Sequence, residues 1–346
     1  MIVNWFERMT CKNGRENAFN LIFALILAII FTIGLIFATF GIPTIVNEFL
    51  RKYIPDFGLI PLESDIYYKF KLYGYISLSI LLLLIIAGII LGKTRLLTTS
   101  SIVVNLSFFG YFAFAMFVFA GIGVLRVIWY PLVSLSPQLM RLGDATLTPI
   151  LLPIIIMKCF INHINYHWLI HFSQSMWFLA SIGLMAIGGF IMFLGIFTFL
   201  YGKFIKCEII DFWIYKFIRH PQYLGFIIYS YGFLLTVIWI PYPRGGYYPP
   251  PTLPWLISFL LIIASALIEE INLKKQFGEK YIKYMEKTSF MMPLPCILKE
   301  LISLPLKLIF GKNYPERKIE VLVIVAIYFI LMILASIPIV YTIKFY

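Results

Sequence analysis

Residues 177–201 read WFLASIGLMAIGGFIMFLGIFTFLY and contain no Asp, Glu, Lys or Arg. At about 1.5 Å per residue, a helix of this length crosses the roughly 30 Å of hydrocarbon in a bilayer. A chain in hydrocarbon must satisfy its own backbone hydrogen bonds, and a helix does so within a single segment. The run therefore predicts a transmembrane α-helix.

Comparable apolar runs recur along the chain, which has 346 residues, 61% of them hydrophobic and 13% charged. Clear runs lie at about 20–45, 72–92, 101–125, 177–201, 223–240, 253–268 and 320–343. A further stretch, 146–160, is short and carries Pro149 and Pro153, so it fits a spanning, a re-entrant or an interfacial segment. We expect an all-α, polytopic integral membrane protein with seven or eight transmembrane helices.

The net charge of +12 comes mostly from Lys and Arg residues that flank the apolar runs. Cytosolic anchoring and anionic headgroups explain this pattern better than nucleic-acid binding does. Seven spans with a cytosolic N-terminus and eight spans with an external N-terminus both place most of these residues inside. Because both topologies also put segments 202–222 and 269–318 inside, we expect a multi-pass membrane protein whose motif loops face the cytosol.

The four cysteines, Cys11, Cys159, Cys207 and Cys296, are far apart and form no CxxC pair. This spacing predicts neither a zinc site nor a disulfide framework, so reduced thiols are expected.

Residues Cys159, His163, His167 and His171 recur every four positions and would form one stripe on a helix. Adjacent pairs could share a metal ion, but the stripe covers about 18 Å of helix axis, so its four members cannot all reach one ion. We therefore expect a polar, headgroup-facing stripe on an interfacial helix and assign no metal site.

The first motif element is IRHPQYLG, residues 218–225, followed by Gly232, at the cytosolic start of a predicted span. Pro221 suits the first turn of a helix, where its missing N–H costs nothing. The free N–H groups of that turn favour a carboxylate ligand, and Arg219 adds a positive charge. Gly225 and Gly232 leave one side of the helix open to a ligand or a neighbouring helix.

The second element is EEINLKKQFGEKY, residues 269–281, at the end of the predicted span 253–268. Two adjacent carboxylates, Glu269 and Glu270, are costly to desolvate there, so a cationic or hydrogen-bond-donating partner is expected nearby. Spacings of three or four residues predict one helix face that combines a carboxylate with apolar and aromatic cover: Glu270, Leu273, Phe277, Tyr281 and Tyr284.

Together, RHPQYLG with a trailing glycine, one helical hairpin, and EEINLKKQFGEKYIKY with a nearby proline resemble the isoprenylcysteine carboxyl methyltransferase family and the related phospholipid methyltransferases. The resemblance covers roughly residues 177–295. It implies S-adenosylmethionine as cofactor, held where the two elements meet at the cytosolic surface, and a lipid-like or isoprenylated methyl acceptor that enters from the bilayer. Such a transfer depends on alignment and exclusion of water and needs no metal.

The resemblance also implies roles for individual residues. The carboxylate of the cofactor would meet Arg219, His220 and the helix N-terminus, and its ammonium or ribose would meet Glu269 or Glu270. Tyr223 and Tyr281 would cover the adenine or the sulfonium. The expected cofactor-binding residues are Arg219, His220, Pro221, Tyr223, Gly225, Gly232, Glu269, Glu270 and Tyr281, and no catalytic residue is assigned.

One departure from the family pattern concerns the methyl acceptor. The family usually has an arginine one turn before the glutamate pair, which is thought to steer a carboxyl acceptor, and this chain has Ser265 there. Without that arginine, a carboxylate acceptor would need another cation. The nearby lysines of the second element, Lys274 and Lys275, lie beyond the glutamate pair and not before it. An amine acceptor, as in phospholipid N-methylation, would not need that cation, so both acceptor classes stay open.

The motif divides the chain into an N-terminal transmembrane region (1–175), a methyltransferase-like membrane core (176–295) and a C-terminal tail with one transmembrane helix (296–346). The alternatives to an enzyme of this kind are a non-catalytic membrane scaffold and a membrane reductase of the sterol-reductase type. A scaffold would carry the motif as a basic loop and a snorkelling acidic pair. The FG-x-x-Y continuation of the second element favours methyl transfer over reduction.

Overall fold

The computed structural model describes residues 18–51, 65–101, 103–104, 129–150, 166–239 and 251–342. Over these ranges the chain is helical without a β-strand, and the one isolated bridge joins Ile218 to Ser289. The α-helices with defined bounds are α1 (Ala18–Arg51), α2 (Asp65–Leu91), α3 (Tyr130–Leu135), α4 (Tyr166–Phe204), α5 (Pro221–Trp239), α6 (Thr252–Phe277), α7 (Glu279–Lys287), α8 (Cys296–Phe310) and α9 (Lys318–Thr342). The all-α prediction is confirmed for this part of the chain.

Five of the described helices contain segments that are long and apolar enough to cross a membrane: Ala18–Phe37, Leu72–Leu91, Met176–Phe204, Thr252–Phe277 and Lys318–Tyr341. Each coincides with a predicted run, and together they indicate an integral membrane protein. Helix α5 covers residues 223–239 of the predicted run 223–240.

Two predictions fall largely outside the described residues. The runs 101–125 and 146–160, on which the count of seven or eight spans depends, are described only at 101, 103–104 and 146–150. The stripe of Cys159, His163, His167 and His171 lies outside the residues whose side chains are described.

The described chain forms two compact units that alternate along the sequence. The first unit draws on Met1–Ile36, Leu184–Ser230 and Glu269–Glu316, and the second on Phe37–Gly183, Tyr231–Ile268 and Arg317–Tyr346. Both motif elements, apart from Gly232, therefore belong to the first unit. The division of the sequence at 175 and 295 stays a prediction.

In the first unit, α4 and α5 approach each other backbone to backbone at two glycines. A Cβ atom on Gly188 would lie 2.6 Å from the carbonyl oxygen of Gly225 and 2.3 Å from the backbone nitrogen of Tyr229. A Cβ atom on Gly225 would lie 2.5 Å from the backbone nitrogen of Met192. Small residues allow this close packing of membrane helices, which sets the position of the motif-bearing end of α5 against α4.

An aromatic cluster packs the segment that follows α4 in the same unit. Tyr201 and Trp213 stack at a centroid distance of 5.2 Å, and Phe212 meets the Trp213 ring edge-on. Cys207 belongs to this buried cluster. It is disulfide-bonded, so the expectation of reduced thiols is wrong for this residue.

The second unit contains a buried ion pair that the sequence analysis did not identify. Arg141 Nε lies 2.8 Å from Asp144 Oδ2, and the two side chains are 2% and 0% exposed. Thr252 Oγ1, at the start of α6, donates to Asp144 Oδ1 at 2.7 Å. Because buried charges need such partners, the pair fixes two short 3₁₀ segments, Pro137–Arg141 and Asp144–Leu147, against the start of α6.

Candidate functional site

Arg219 and Glu270, one from each motif element, form a buried ion pair. Arg219 Nε lies 2.5 Å from Glu270 Oε1, and the two side chains are 5% and 0% exposed. Arg219 Nη1 also donates to the carbonyl oxygens of Met285, at 3.0 Å, and Thr288. This guanidinium therefore joins the first element to α6 and to the end of α7. The expectation of a cationic or hydrogen-bond-donating partner for the glutamate pair is confirmed, and the partner is a cation.

Backbone hydrogen bonds hold Arg219 in place. Its N–H donates to the carbonyl oxygen of Ser289 at 2.9 Å, and the N–H of Ser289 donates to the carbonyl oxygen of Phe217 at 3.1 Å. These bonds form the isolated bridge between Ile218 and Ser289. The loop before α5 and the loop after α7 are thus fixed to each other directly beside the ion pair.

His220 lies between the two carboxylates. Its Nε2 is 3.1 Å from Glu270 Oε1, and its Nδ1 is 3.9 Å from Glu269 Oε2. An ionised carboxylate only accepts hydrogen bonds, so Nε2–H is the donor to Glu270. The imidazole stacks on Tyr223 at 5.6 Å and meets Phe290 edge-on at 5.2 Å, which fixes the plane of the ring.

Tyr314, in the segment after α8, completes the surroundings of Glu270. Its O–H donates to Glu270 Oε2, and its ring lies 4.6 Å below the ammonium of Lys274 and contacts Phe290 edge-on. Both oxygens of the Glu270 carboxylate are therefore hydrogen-bonded, by Arg219 and His220 on one side and by Tyr314 on the other. No periodicity or motif in the sequence pointed to Tyr314.

Glu269 has a different environment from its neighbour. Its side chain is 42% exposed and lines a cavity of about 390 Å³. Tyr223 O–H donates to Glu269 Oε2 at 3.1 Å and so orients the carboxylate. One motif glutamate thus holds the two elements together, and the other is presented to the cavity.

The cavity lies within the first unit and is bounded by the end of α4, the loop that follows it, the start of α5, the end of α6 and α7. Its lining residues are Phe199, Lys203, Glu208, Ile209, Ile210, Tyr215, Arg219, His220, Gln222, Tyr223, Glu269, Leu273, Phe277, Tyr281 and Tyr284. A volume of this size, with apolar walls and a few polar groups, is typical of small-molecule sites.

The predicted amphipathic face of the second element is broken by a turn. Helix α6 ends at Phe277, Gly278 has φ of 54°, and α7 begins at Glu279. Leu273 and Phe277 before the turn and Tyr281 and Tyr284 after it nevertheless all line the cavity. The prediction of a single helix is wrong, because the positive φ of Gly278 redirects the chain. The fifth residue of the predicted face, Glu270, does not line the cavity.

Hydrogen bonds connect the aromatic wall to α4. Tyr284 O–H donates to the carbonyl oxygen of Tyr215 at 2.7 Å, and Tyr215 O–H donates to Gln222 Oε1 at 2.7 Å. Gln222 Nε2 then donates to the carbonyl oxygen of Gly195 at 3.2 Å. The cavity wall is therefore pre-organised by side chains from three different segments and by a backbone carbonyl of α4.

The electrostatics of the wall follow from burial and from the Glu270 carboxylate. Burial raises the pKa of Tyr215 and Tyr284, and burial together with Glu270 raises the pKa of Tyr281, so these phenols stay protonated at neutral pH. Burial, the largest single influence, would lower the pKa of Arg219, but Glu270 and Tyr314 together outweigh it and raise that pKa, so the guanidinium stays charged.

The structure separates the predicted cofactor-binding residues into two groups. Arg219, His220, Tyr223, Glu269 and Tyr281 line the cavity.

The remaining four are not part of the lining. Pro221 begins α5, Gly225 faces α4, and Glu270 lies behind the cavity wall. Gly232 is a buried residue of the second unit. For Gly225, the contacts support the neighbouring-helix alternative.

Several lining residues were not predicted, among them Lys203, Glu208, Tyr215 and Gln222. Gln222 belongs to the first motif element, whereas the others come from the end of α4 and the loop that follows it.

No protein-family model, curated protein or solved structure matches this chain.

Proposed function

We propose that this protein is an integral membrane methyltransferase that uses S-adenosylmethionine and acts on a lipid-like acceptor at the cytosolic face. The observation that supports it best is the assembly of the two motif elements around one cavity. The Arg219–Glu270 ion pair and the Tyr223–Glu269 hydrogen bond join positions about 50 residues apart in the sequence.

The residues of the cavity fit S-adenosylmethionine in charge and in shape. The cofactor has an amino-acid end with an ammonium group, a sulfonium and an adenine ring. The half-exposed Glu269 carboxylate suits the ammonium or a ribose hydroxyl, and the rings of Phe277, Tyr281 and Tyr284 suit a flat base or a cation. A cavity of about 390 Å³ is within the range of sites for ligands of this size.

When bound, the cofactor supplies an electrophilic methyl group on a sulfonium. Methyl transfer needs no metal, so the contribution of this chain is to align the reactants and exclude water. Tyr223 holds the Glu269 carboxylate, and the buried ion pair with its tyrosine and histidine neighbours keeps the floor of the cavity rigid. Leu273, Phe277 and Ile210 supply apolar walls next to these charges.

The resemblance to isoprenylcysteine carboxyl methyltransferases favours O-methylation of a carboxylate on a lipid-like group. Phospholipid or amine N-methylation is the alternative, because Ser265 stands where the family has its acceptor-steering arginine. In either case an acceptor lone pair forms the new bond to the methyl carbon, and the carbon–sulfur bond electrons return to sulfur. An amine acceptor, which is protonated at neutral pH, must release one proton to expose that lone pair, and a carboxylate acceptor releases none.

The proposal includes seven or eight spans, with the cavity on the basic, cytosolic side. The disulfide at Cys207 argues against a cytosolic position, because disulfides persist mainly in oxidising compartments and, as an exception, inside hyperthermophiles.

The side of the membrane on which the cavity lies is tested with Lys283→Cys, since Lys283 is exposed on α7. A membrane-impermeant maleimide should label this residue only after the membrane is opened; labelling of sealed cells from outside would refute the cytosolic placement.

The enzymatic proposal is tested by incubating membranes that contain the protein with methyl-labelled S-adenosylmethionine. The lipid and protein fractions are then treated with mild base, which releases label from methyl esters and not from methylated amines. We expect base-labile label in the lipid-like fraction, whereas base-stable label would support N-methylation. Absence of label in every fraction, together with absence of cofactor binding, would refute the enzyme and favour the scaffold.

A further inference from the structure

The cavity lining contains two full cations among the residues that the structure describes, Arg219 and Lys203. Arg219 is not free to bind a ligand. Its Nε is bonded to Glu270, its Nη1 donates to two backbone carbonyls, and its side chain is 5% exposed. The family resemblance implies Arg219 as the partner of the cofactor carboxylate. Because Arg219 is already paired, an anionic ligand group in the cavity needs a different cation.

Lys203 is placed for this role. It occupies the last turn of α4, where the helix dipole favours a cation, and its side chain is exposed. Its ammonium lies 5.5 Å from the centre of the Phe199 ring, which also lines the cavity. Within the described part of the chain, no carboxylate lies within ion-pair distance of Lys203.

The carboxylates of the lining do not neutralise this lysine. Glu208 forms an ion pair with Lys280 at 2.9 Å. Glu269 accepts a hydrogen bond from Tyr223 and stays 42% exposed. The cavity therefore presents one uncommitted positive group and one negative group that is open to a ligand.

Other polar groups near the second motif element are already committed. Ser265, which stands at the position of the family's arginine, is fully buried and donates its hydroxyl to the carbonyl oxygen of Leu261 in its own helix. Lys274 lies over the ring of Tyr314 and does not line the cavity. Neither residue is available to a carboxylate in the cavity.

We propose that Lys203 is the anion-binding residue of this cavity and that it binds a carboxylate, either the amino-acid carboxylate of the cofactor or the carboxylate of the methyl acceptor. The inference rests on the proposed function and adds to it a specificity-determining residue outside both sequence motifs. Lys203 and Glu269 together match a ligand that carries one negative and one positive group.

The test compares the wild-type protein with Lys203→Gln, which removes the charge and nearly keeps the length, and with Lys203→Arg, which keeps the charge. Lys216→Gln is the matched control, because Lys216 is exposed in the same unit and does not line the cavity. Binding of S-adenosylmethionine and of its decarboxylated analogue is measured by titration calorimetry. Methyl transfer to base-labile product is measured in parallel.

If Lys203 binds the cofactor carboxylate, Lys203→Gln lowers the affinity for S-adenosylmethionine by about tenfold, as expected for loss of one charged hydrogen bond. The affinity for the decarboxylated analogue, which lacks that carboxylate, stays unchanged. If it binds the acceptor carboxylate, cofactor affinity stays constant and kcat/KM for ester formation falls by about tenfold. In both cases Lys203→Arg retains most of the wild-type value and Lys216→Gln all of it.

Three results would overturn the inference while the proposed function stands. The first is unchanged cofactor affinity and unchanged transfer in Lys203→Gln, and the second is an equal effect of Lys216→Gln. The third is a product that is a methylated amine, combined with unchanged cofactor affinity in Lys203→Gln. Failure of the wild-type protein to bind either form of the cofactor would instead refute the proposed function, and the inference with it.

Discussion

Glu269 and Glu270 are adjacent in the sequence but have opposite environments, because Glu270 is fully buried among hydrogen-bond donors and Glu269 is 42% exposed in the cavity. A helix turns about 100° per residue, so neighbouring side chains point in different directions. The pair therefore combines a structural carboxylate with a ligand-facing one. This difference leads to distinct predictions for two substitutions at neighbouring positions.

Replacing Glu270 by Ala should destabilise the protein strongly. The substitution leaves the Arg219 guanidinium buried without its carboxylate, which typically costs about 3–5 kcal/mol. Glu269→Gln is the matched control; it should keep the stability and lose most of the cofactor affinity. Thermal unfolding in detergent and cofactor titration measure the two effects. Equal loss of stability in both variants would contradict the separation of roles.

Tyr314→Phe should weaken the attachment of the segment after α8 to the site. Without the phenolic O–H, Glu270 Oε2 loses its donor in a buried place, which costs about 1–3 kcal/mol. Tyr341→Phe is the control, because Tyr341 is 80% exposed. Limited proteolysis between residues 311 and 317 should be faster in Tyr314→Phe than in the control. Equal cleavage rates would show that this hydrogen bond does not hold the segment.

The sequence predicted the site where its residues belong to periodic or motif positions. The cost of burying two carboxylates predicted a cationic or hydrogen-bond-donating partner near the glutamate pair, and Arg219 is such a partner for Glu270. Spacing predicted the aromatic cover, although the turn at Gly278 was missed because a single glycine within an amphipathic pattern does not reveal its φ. Lys203 and Tyr314 could not be predicted, since their contacts depend on how distant segments pack and carry no local signal.

The same limit applies to the second unit, where Arg141 and Asp144 form their buried pair within a short polar segment. Asp144→Asn leaves the charge of Arg141 unbalanced and should lower the free energy of unfolding by about 3–5 kcal/mol. The double variant Arg141→Met with Asp144→Asn removes both charges and should recover a large part of that loss. Chemical denaturation of Asp144→Asn, of Arg141→Met and of the double variant measures the coupling. Additive losses would show that the two charges do not stabilise each other.

The backbone contact between α4 and α5 leads to a prediction that links packing to the cavity. Gly188→Ala would place a methyl group 2.3 Å from the backbone nitrogen of Tyr229, so the two helices must separate. Overpacking of this kind typically costs about 1–3 kcal/mol. Because the first turn of α5 carries Tyr223 and follows His220 directly, the displacement should also weaken cofactor binding.

Gly189→Ala is the closest available control for this effect, since a Cβ atom on Gly189 has no neighbour within 4 Å. An alanine there meets open space and improves helix propensity by up to about 1 kcal/mol. We expect Gly188→Ala to lower both the unfolding temperature and the cofactor affinity, and Gly189→Ala to lower neither. Equal losses of stability in the two variants would mean that replacing any glycine of α4 by alanine has this effect. The contact with α5 would then not be responsible, and the cavity would not depend on this packing.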